Sequence, residues 1–216
     1  LNFGARPDMF TVRVNNRQLV NQLLGQFLGL DVIGANMMTK LLDKKNKIPP
    51  ETFKQQAIEI FGAEGSREGL PKLAQMISMK SVDDLPAELS DSPSVQQIRT
   101  VMDLLRQKGV TNAVFDVTLM RGLDYYTGTV FEFFDNAPEN NRAMFGGGRY
   151  DGLVGLFGVE PMATVGVGMG ATTMQVFLEV HGLLPELATH TDVYIIPISP
   201  EVMSGADALA RKLRSE

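Results

Sequence analysis

Strand-like alternation occurs in two separate parts of this chain, and a long helix-forming stretch stands between them. MFTVRVN (9–15) sets Phe10, Val12 and Val14 against polar neighbours, the period-two signature of a half-buried strand. Asn15 or Asn16 can cap a following helix whose apolar stripe is Leu19, Leu23, Leu24 and Phe27. From about Lys40 to Gly109 the alternation is lost. Pro49-Pro50 opens a helix carrying Phe53, Ala57 and Ile60 that closes at Gly62, and GLPKLAQMISM (69–79) reads as a second helix. Ser92-Pro93 starts a third, with Val95, Ile98, Met102 and Leu105 turned inward and Gly109 beyond its end. Alternation then returns in AVFDVTLM (113–120) and YTGTVFEFF (126–134). Strand-rich segments on either side of a helical one predict an α+β chain, an antiparallel sheet interrupted by a helical insertion.

Later segments are shorter. NAPENNR (136–142) is a turn-rich loop, and AMFGGGRYDGLVGLFG (143–158) combines a strand, a glycine run and a short helix. VGVGMG (165–170) is a glycine-punctuated strand leading into the helix TTMQVFLEVHG. HGLLPELATHT (181–191) reads as a linker, and DVYIIPI (192–198) as a strand that starts a new βα unit.

Composition narrows the function. At 216 residues and 44% hydrophobic, the chain can bury one large core or two small ones. A net charge of −5 argues against a protein that coats nucleic acid non-specifically. With no cysteine there is no disulfide framework, thiolate metal site or cysteine nucleophile. His181 and His190 lack metal-ligand spacing, so no protein-bound metal and no histidine relay are expected. KLLDKKNK (40–47) is most simply a solvated face. No apolar run is long enough to span a bilayer, and the expected location is cytoplasmic. The sequence opens without Met and stops in a run with no helix-stop signal, so a piece of a longer chain is expected.

Two stretches can carry chemistry. In RGLDYYTGTVFEFF (121–134) a cation, an acid and two tyrosines stand between two strands. Arg121 suits bidentate capture of carboxylate or phosphate. Tyr126 and Glu132 share strand parity, which makes Glu132 and Asp124 candidates for a polar pocket floor. The plain alternative is a hairpin with Arg121 and Asp124 paired in its turn. In FGGGRYDG (145–152), three glycines precede Arg149; in a strand they weaken the ladder unless backbone or ligand must come close. The Walker ending is missing, and VGVGMG lacks the dinucleotide fingerprint, which argues against a nicotinamide enzyme.

These stretches resemble the histidyl-tRNA synthetase family. RGLDYYTGTVFEFF is similar to its first histidine-specific signature, FGGGRYDGLVGLFG to its second, and ATVGVGMGATTMQVFLE to the third class II synthetase motif. TDVYIIPISPEVMSGADALARKLR resembles the opening of the anticodon-binding domain. The resemblance implies a partial class II antiparallel-sheet core at 1–39, the helical insertion at 40–109, core with both signatures and the third motif at 110–185, and a linker with the start of an α/β anticodon-binding domain at 186–216. It also implies that the first two class II motifs precede Leu1. The implied activity is a histidine–tRNA ligase: ATP, with Mg2+, activates L-histidine to histidyl-adenylate, which is then transferred to tRNA(His) by a homodimeric enzyme. Arg121 takes the catalytic role on the α-phosphate and carboxylate, while Tyr125 and Tyr126, with Gly146, Gly147 and Gly148, bind histidine. Gly168, Gly170 and Thr173 fall on the ATP side. One departure stands out, because Thr173 occupies the place of the arginine that clamps ATP in the family, and Thr172 with Gln175 fits a capping box instead. The second reading is a catalytically silent relative, the regulatory subunit of ATP phosphoribosyltransferase. A plain RNA-binding or assembly module is a third.

Overall fold

A computed structural model describes residues 4–120, 125–140, 142–185 and 191–215. Among these residues five strands form one sheet: β1 (Phe10–Asn16), β2 (Ala113–Phe115), β3 (Thr129–Asp135), β4 (Ala143–Tyr150) and β5 (Thr164–Met169), in the order β2-β1-β3-β4-β5. Three of the four pairings are antiparallel, and only β1 and β2 run parallel. That exception follows from connectivity. The chain leaves β1 through a long helical excursion and re-enters beside it in the same direction, as a parallel neighbour requires.

The excursion begins at once. The Asn16 side chain accepts a hydrogen bond from the Gln18 amide and caps α1 (Arg17–Gln22), which runs on as a π turn over Leu23–Phe27. Three more helices follow, α2 (Val32–Asp43), α3 (Pro50–Ser78) and α4 (Pro93–Gln107). Asp31 caps α2 through the Gly34 amide, and Ser92 caps α4. Gly62, at φ 75° and ψ 166°, is non-helical, so Pro50–Ser78 is two helices that meet at a kink and the first of them closes there as expected. Gly109, at φ 77°, follows the C-terminus of α4. Leu19, Leu23, Leu24, Met38, Leu41, Ala57, Leu73, Met76, Val95 and Ile98 merge into one buried cluster with Phe115, Val117 and Met120. Each such large side chain withdrawn from water contributes roughly 1.5–3 kcal/mol before entropy.

The strand expected over AVFDVTLM covers only Ala113–Phe115. Asp116 ends it, because its Oδ1 accepts from the Thr118 amide (2.9 Å) and hydroxyl (2.6 Å), which closes a turn where a ladder would continue. β3 starts at Thr129, later than the pattern of YTGTVFEFF suggests. Between β3 and β4 the register slips at Phe133/Phe134, a bulge that re-aims the start of β4.

α5 (Ala171–Val180) packs on β4. Its N-cap is Gly170, with no side-chain cap, so the capping box expected from Thr172 and Gln175 does not form; Gln175 instead donates to Glu179 at 2.8 Å. Met9, Met144 and Phe177 form the buried centre between sheet and helix, joined by Phe10, Phe133, Phe145 and Met174.

Residues 185–216 form a second unit. There DVYIIPI shows no ladder among the described residues; a short 3-10 turn (Pro200–Val202) and α6 (Met203–Leu213) follow it. A strand is a pairing rather than a residue property, and β-branched composition alone supplies no partner. No helix among the described residues is long and apolar enough to cross a membrane.

Candidate active site

The sheet has two faces. On one, α5 packs with Phe10 of β1, Phe133 of β3 and Phe145 of β4. Strand alternation puts Arg13, Asn15, Val130, Glu132 and Phe134 on the other, and register extends that face across Gly146 and Gly148 of β4 to Gly168 and Gly166 of β5. Val130 is opposite Gly148, and Gly148 is opposite Gly166; Glu132 is opposite Gly146, and Gly146 is opposite Gly168. Two adjacent strands therefore present four glycines in two rows, a floor without side chains.

Tyrosines lie over one row. A Cβ on Gly148 would come within 2.7 Å of the Tyr126 ring, and one on Gly166 within 2.6 Å of the Tyr150 hydroxyl. A Cβ on Gly168 would meet nothing within 4 Å. One half of the floor is thus roofed by tyrosine, and at Gly168 it is open. Gly147 has the opposite parity, and a Cβ there would strike the Gly166 carbonyl, so its role is to let β4 and β5 close up.

Three tyrosines make the wall. Tyr125 and Tyr126 have ring centroids 4.8 Å apart, and Tyr150 meets Tyr125 edge-on at 5.5 Å and Tyr126 at 6.4 Å. Tyr126 is buried with Leu119 and Val130, while Tyr125 is about one-third exposed. The motif patterns by themselves do not single out Tyr150. The signal was there in FGGGRY, where Tyr150 shares parity with Gly146 and Gly148.

Polar contacts tie this wall to the sheet. The Asp151 carboxylate takes the Arg149 Nε–H at 2.9 Å and the Thr127 hydroxyl at 3.1 Å, and the Asp151 amide donates to the Thr127 hydroxyl at 3.0 Å. Chiefly through the Arg149 hydrogen bond, the Asp151 carboxyl is held below the usual aspartate value. On the β1 side, Arg13 pairs with Asp116 at 3.0 Å, lies 4.1 Å over the Phe134 ring, and stands opposite Glu132. Glu132 therefore sits between a cation and the glycine floor.

The ATP-side residues divide. Gly168 is on the open half of the floor. Gly170 and Thr173 hydrogen-bond to backbone: the Thr173 hydroxyl is 2.8 Å from the Met144 carbonyl and 3.0 Å from that of Gly170, and the Gly170 amide donates to Met144. These contacts bolt the first turn of α5 to β4. Arg121, Asp124 and His190 lie outside the described residues. His181 sits at the C-terminus of α5, with Nε2 2.7 Å from an Asp135 oxygen, and is a structural contact. Among the described residues no group of three or more His, Asp or Glu is placed to hold a metal ion. A cavity of about 460 Å³ lies elsewhere, between α4 and β2, lined by Arg99, Arg106 and Asp83 among others.

A largely antiparallel sheet, helix-covered behind and glycine-paved in front, is the core of a class II aminoacyl-tRNA synthetase. Within that class the chain belongs to the histidyl-tRNA synthetase family, whose profile, described as histidyl-tRNA synthetase, matches residues 5–173. It is 33% identical over 215 residues to a histidine–tRNA ligase of Leptospira biflexa, with 99% of this chain and 49% of that protein covered. Against a histidine–tRNA ligase of Pyrococcus furiosus the identity is also 33%, over 95% of this chain and 48% of the relative. The chain thus spans about half the length of the curated relatives it matches. The crystal structure of histidyl-tRNA synthetase from Nostoc sp. PCC 7120 superposes with a TM-score of 0.70 at 27% identity, covering 96% of this chain and 51% of that one.

Proposed function

We propose that the intact protein is a histidine–tRNA ligase, which uses ATP to activate L-histidine as histidyl-adenylate and passes the histidyl group to tRNA(His). The observation that carries this reading is the pairing of a tyrosine wall with a side-chain-free floor. Tyr125 and Tyr126 line the imidazole pocket, with Tyr150 closing its far side. Phenolic hydroxyls can both donate and accept, as a neutral imidazole requires. A site built on such bonds rejects analogues that lack the ring nitrogens by about 10⁴-fold or more. Gly146 lets the substrate lie against the sheet and Gly148 lets the Tyr126 ring do so, with Gly147 closing β4 onto β5 behind them. Glu132, opposite Arg13 in the β1–β3 register, is the polar group at the floor's edge, and Asp124 is assigned to the same floor.

Arg121 supplies the fixed cation for the carboxylate and the α-phosphate, where charge builds as the mixed anhydride forms. ATP, with its Mg2+, lies toward Gly168. The enzyme works as a cytoplasmic homodimer. Residues 40–109 act as a helical insertion and 186–216 as the start of an anticodon-binding domain.

Pyrophosphate exchange by the full-length protein, run with each of the twenty amino acids, tests this: exchange responds to histidine alone. A second reading, the silent regulatory subunit of ATP phosphoribosyltransferase, draws its support from Thr173, whose hydroxyl is engaged by backbone where the family places an ATP-clamping arginine. No exchange with any amino acid would favour it.

A further inference from the structure

We propose that Asn15 is a positioning residue for the histidine pocket, holding from inside the sheet the turn that seats Leu119 against Tyr126. The inference rests on the ligase reading above and adds to it a residue remote from the substrate.

Asn15 is completely buried. A buried carboxamide is costly unless all its groups are bonded, and here they are. Its Oδ1 accepts the Asn16 amide at 2.8 Å, and its Nδ2 donates to the carbonyls of Val117 and Leu119, each at 3.2 Å. Only this orientation of the amide satisfies one donor and two acceptors at once. Both carbonyls belong to the turn that replaces the rest of β2. The last ladder bond is Asp116 N–H to the Val14 carbonyl at 3.0 Å, and the Leu119 amide then turns back to the Asp116 carbonyl at 3.0 Å. Asp116 closes that turn from within through Thr118, and Arg13 anchors Asp116 from β1. Asn15 fastens its far end.

What the turn delivers is Leu119. Leu119, Tyr126 and Val130 form one buried cluster, with Phe134 and Tyr150 against it. Tyr126 has Leu119 and Val130 as its apolar neighbours and Gly148 beneath its ring. Close-packed side chains transmit displacement, so a turn released at Val117 and Leu119 moves the ring that bounds the pocket. Neither Asp nor Leu can replace Asn here, since Asp lacks the two donated hydrogens and Leu offers no polar atom.

The test uses the full-length protein carrying Asn15→Leu, with Phe177→Leu as a control that weakens the opposite face of the sheet. Two readings are taken below the unfolding transition of every variant: histidine-dependent pyrophosphate exchange, and deuterium exchange at the Thr118 and Leu119 amides. Asn15→Leu should raise the KM for histidine roughly 5- to 100-fold. It should leave kcat and the KM for ATP within about twofold of wild type, the pattern of lost substrate binding. It should also speed deuterium uptake at both amides. Phe177→Leu should change neither reading. Faster uptake with an unaltered KM for histidine would overturn the proposal, as would an equal rise in KM from Phe177→Leu at matched loss of stability. If wild-type protein itself gives no exchange with histidine, the ligase reading falls and takes this inference with it, a result distinct from failure of the variant alone.

Discussion

Adding one methyl group at Gly168 separates a floor that binds a ligand from one that is merely glycine-rich. A Cβ built there meets no heavy atom within 4 Å, so Gly168→Ala fits the folded chain without displacing anything. Its φ is not in the left-handed region that favours glycine. Replacing a strand glycine under those conditions should stabilise the protein by about 0.5–1 kcal/mol, because the unfolded chain loses freedom. The same methyl projects from the face that Gly146 and Gly168 share across the β4–β5 ladder. If ATP rests there, the methyl occupies ligand volume, and overpacking of that size costs about 1–3 kcal/mol. In binding this is a rise of roughly 5- to 150-fold in the KM for ATP. The assays are urea unfolding and the ATP dependence of histidine-dependent pyrophosphate exchange, both on the full-length protein. Stability should rise while ATP affinity falls. A more stable variant with an unchanged KM for ATP would show that no ligand lies over Gly168, and the assignment of this face would fail.

Other perturbations read other parts of the arrangement. Gly148→Ala pushes a methyl into the Tyr126 ring and the Thr129 carbonyl, so histidine KM and stability should both suffer, the latter by about 1–3 kcal/mol in chemical denaturation. Thr173→Val removes the hydroxyl that holds α5 to β4; stability should drop by about 1–2 kcal/mol, and a many-fold change in KM for ATP would contradict its structural role. Asp135→Ala deprives the Ala137 amide, Asn140 and His181 of a buried acceptor, and urea denaturation should show a loss of at least about 2 kcal/mol. Asp151 has a depressed pKa in the folded state, so its contribution is present above the ordinary aspartate value of about 4 and is lost as pH falls through the lower folded value. Asp151→Asn should therefore flatten the acid limb of a stability–pH profile, and more at low salt than at high, because the group is exposed.

Much of the architecture was legible in the residues because it depends on local periodicity. The alternation of Phe10, Val12 and Val14, the capping residues Asn16 and Ser92, and the glycine at 109 each report a conformation set within a few residues, and those elements stand where the pattern puts them. The two signature stretches were equally plain as runs of residue types. Other features required the folded chain. β2 stops after three residues because the Asp116 side chain competes for its own backbone, and DVYIIPI pairs with nothing described, so propensity named strands that hydrogen bonding did not supply. The tyrosine and glycine stretches were visible separately, but registration of β4 against β5 alone aligns Gly146 with Gly168 and Gly148 with Gly166. Tyr150 joins the wall, Thr173 turns to backbone, and Asn15 reaches across a sequence separation of 102 residues to Val117, all through contacts that no local pattern encodes. Sequence sets what each segment can do with its neighbours; which side chains share a face, and which polar atoms are already bonded, depends on closing long loops, and that only the tertiary structure decides.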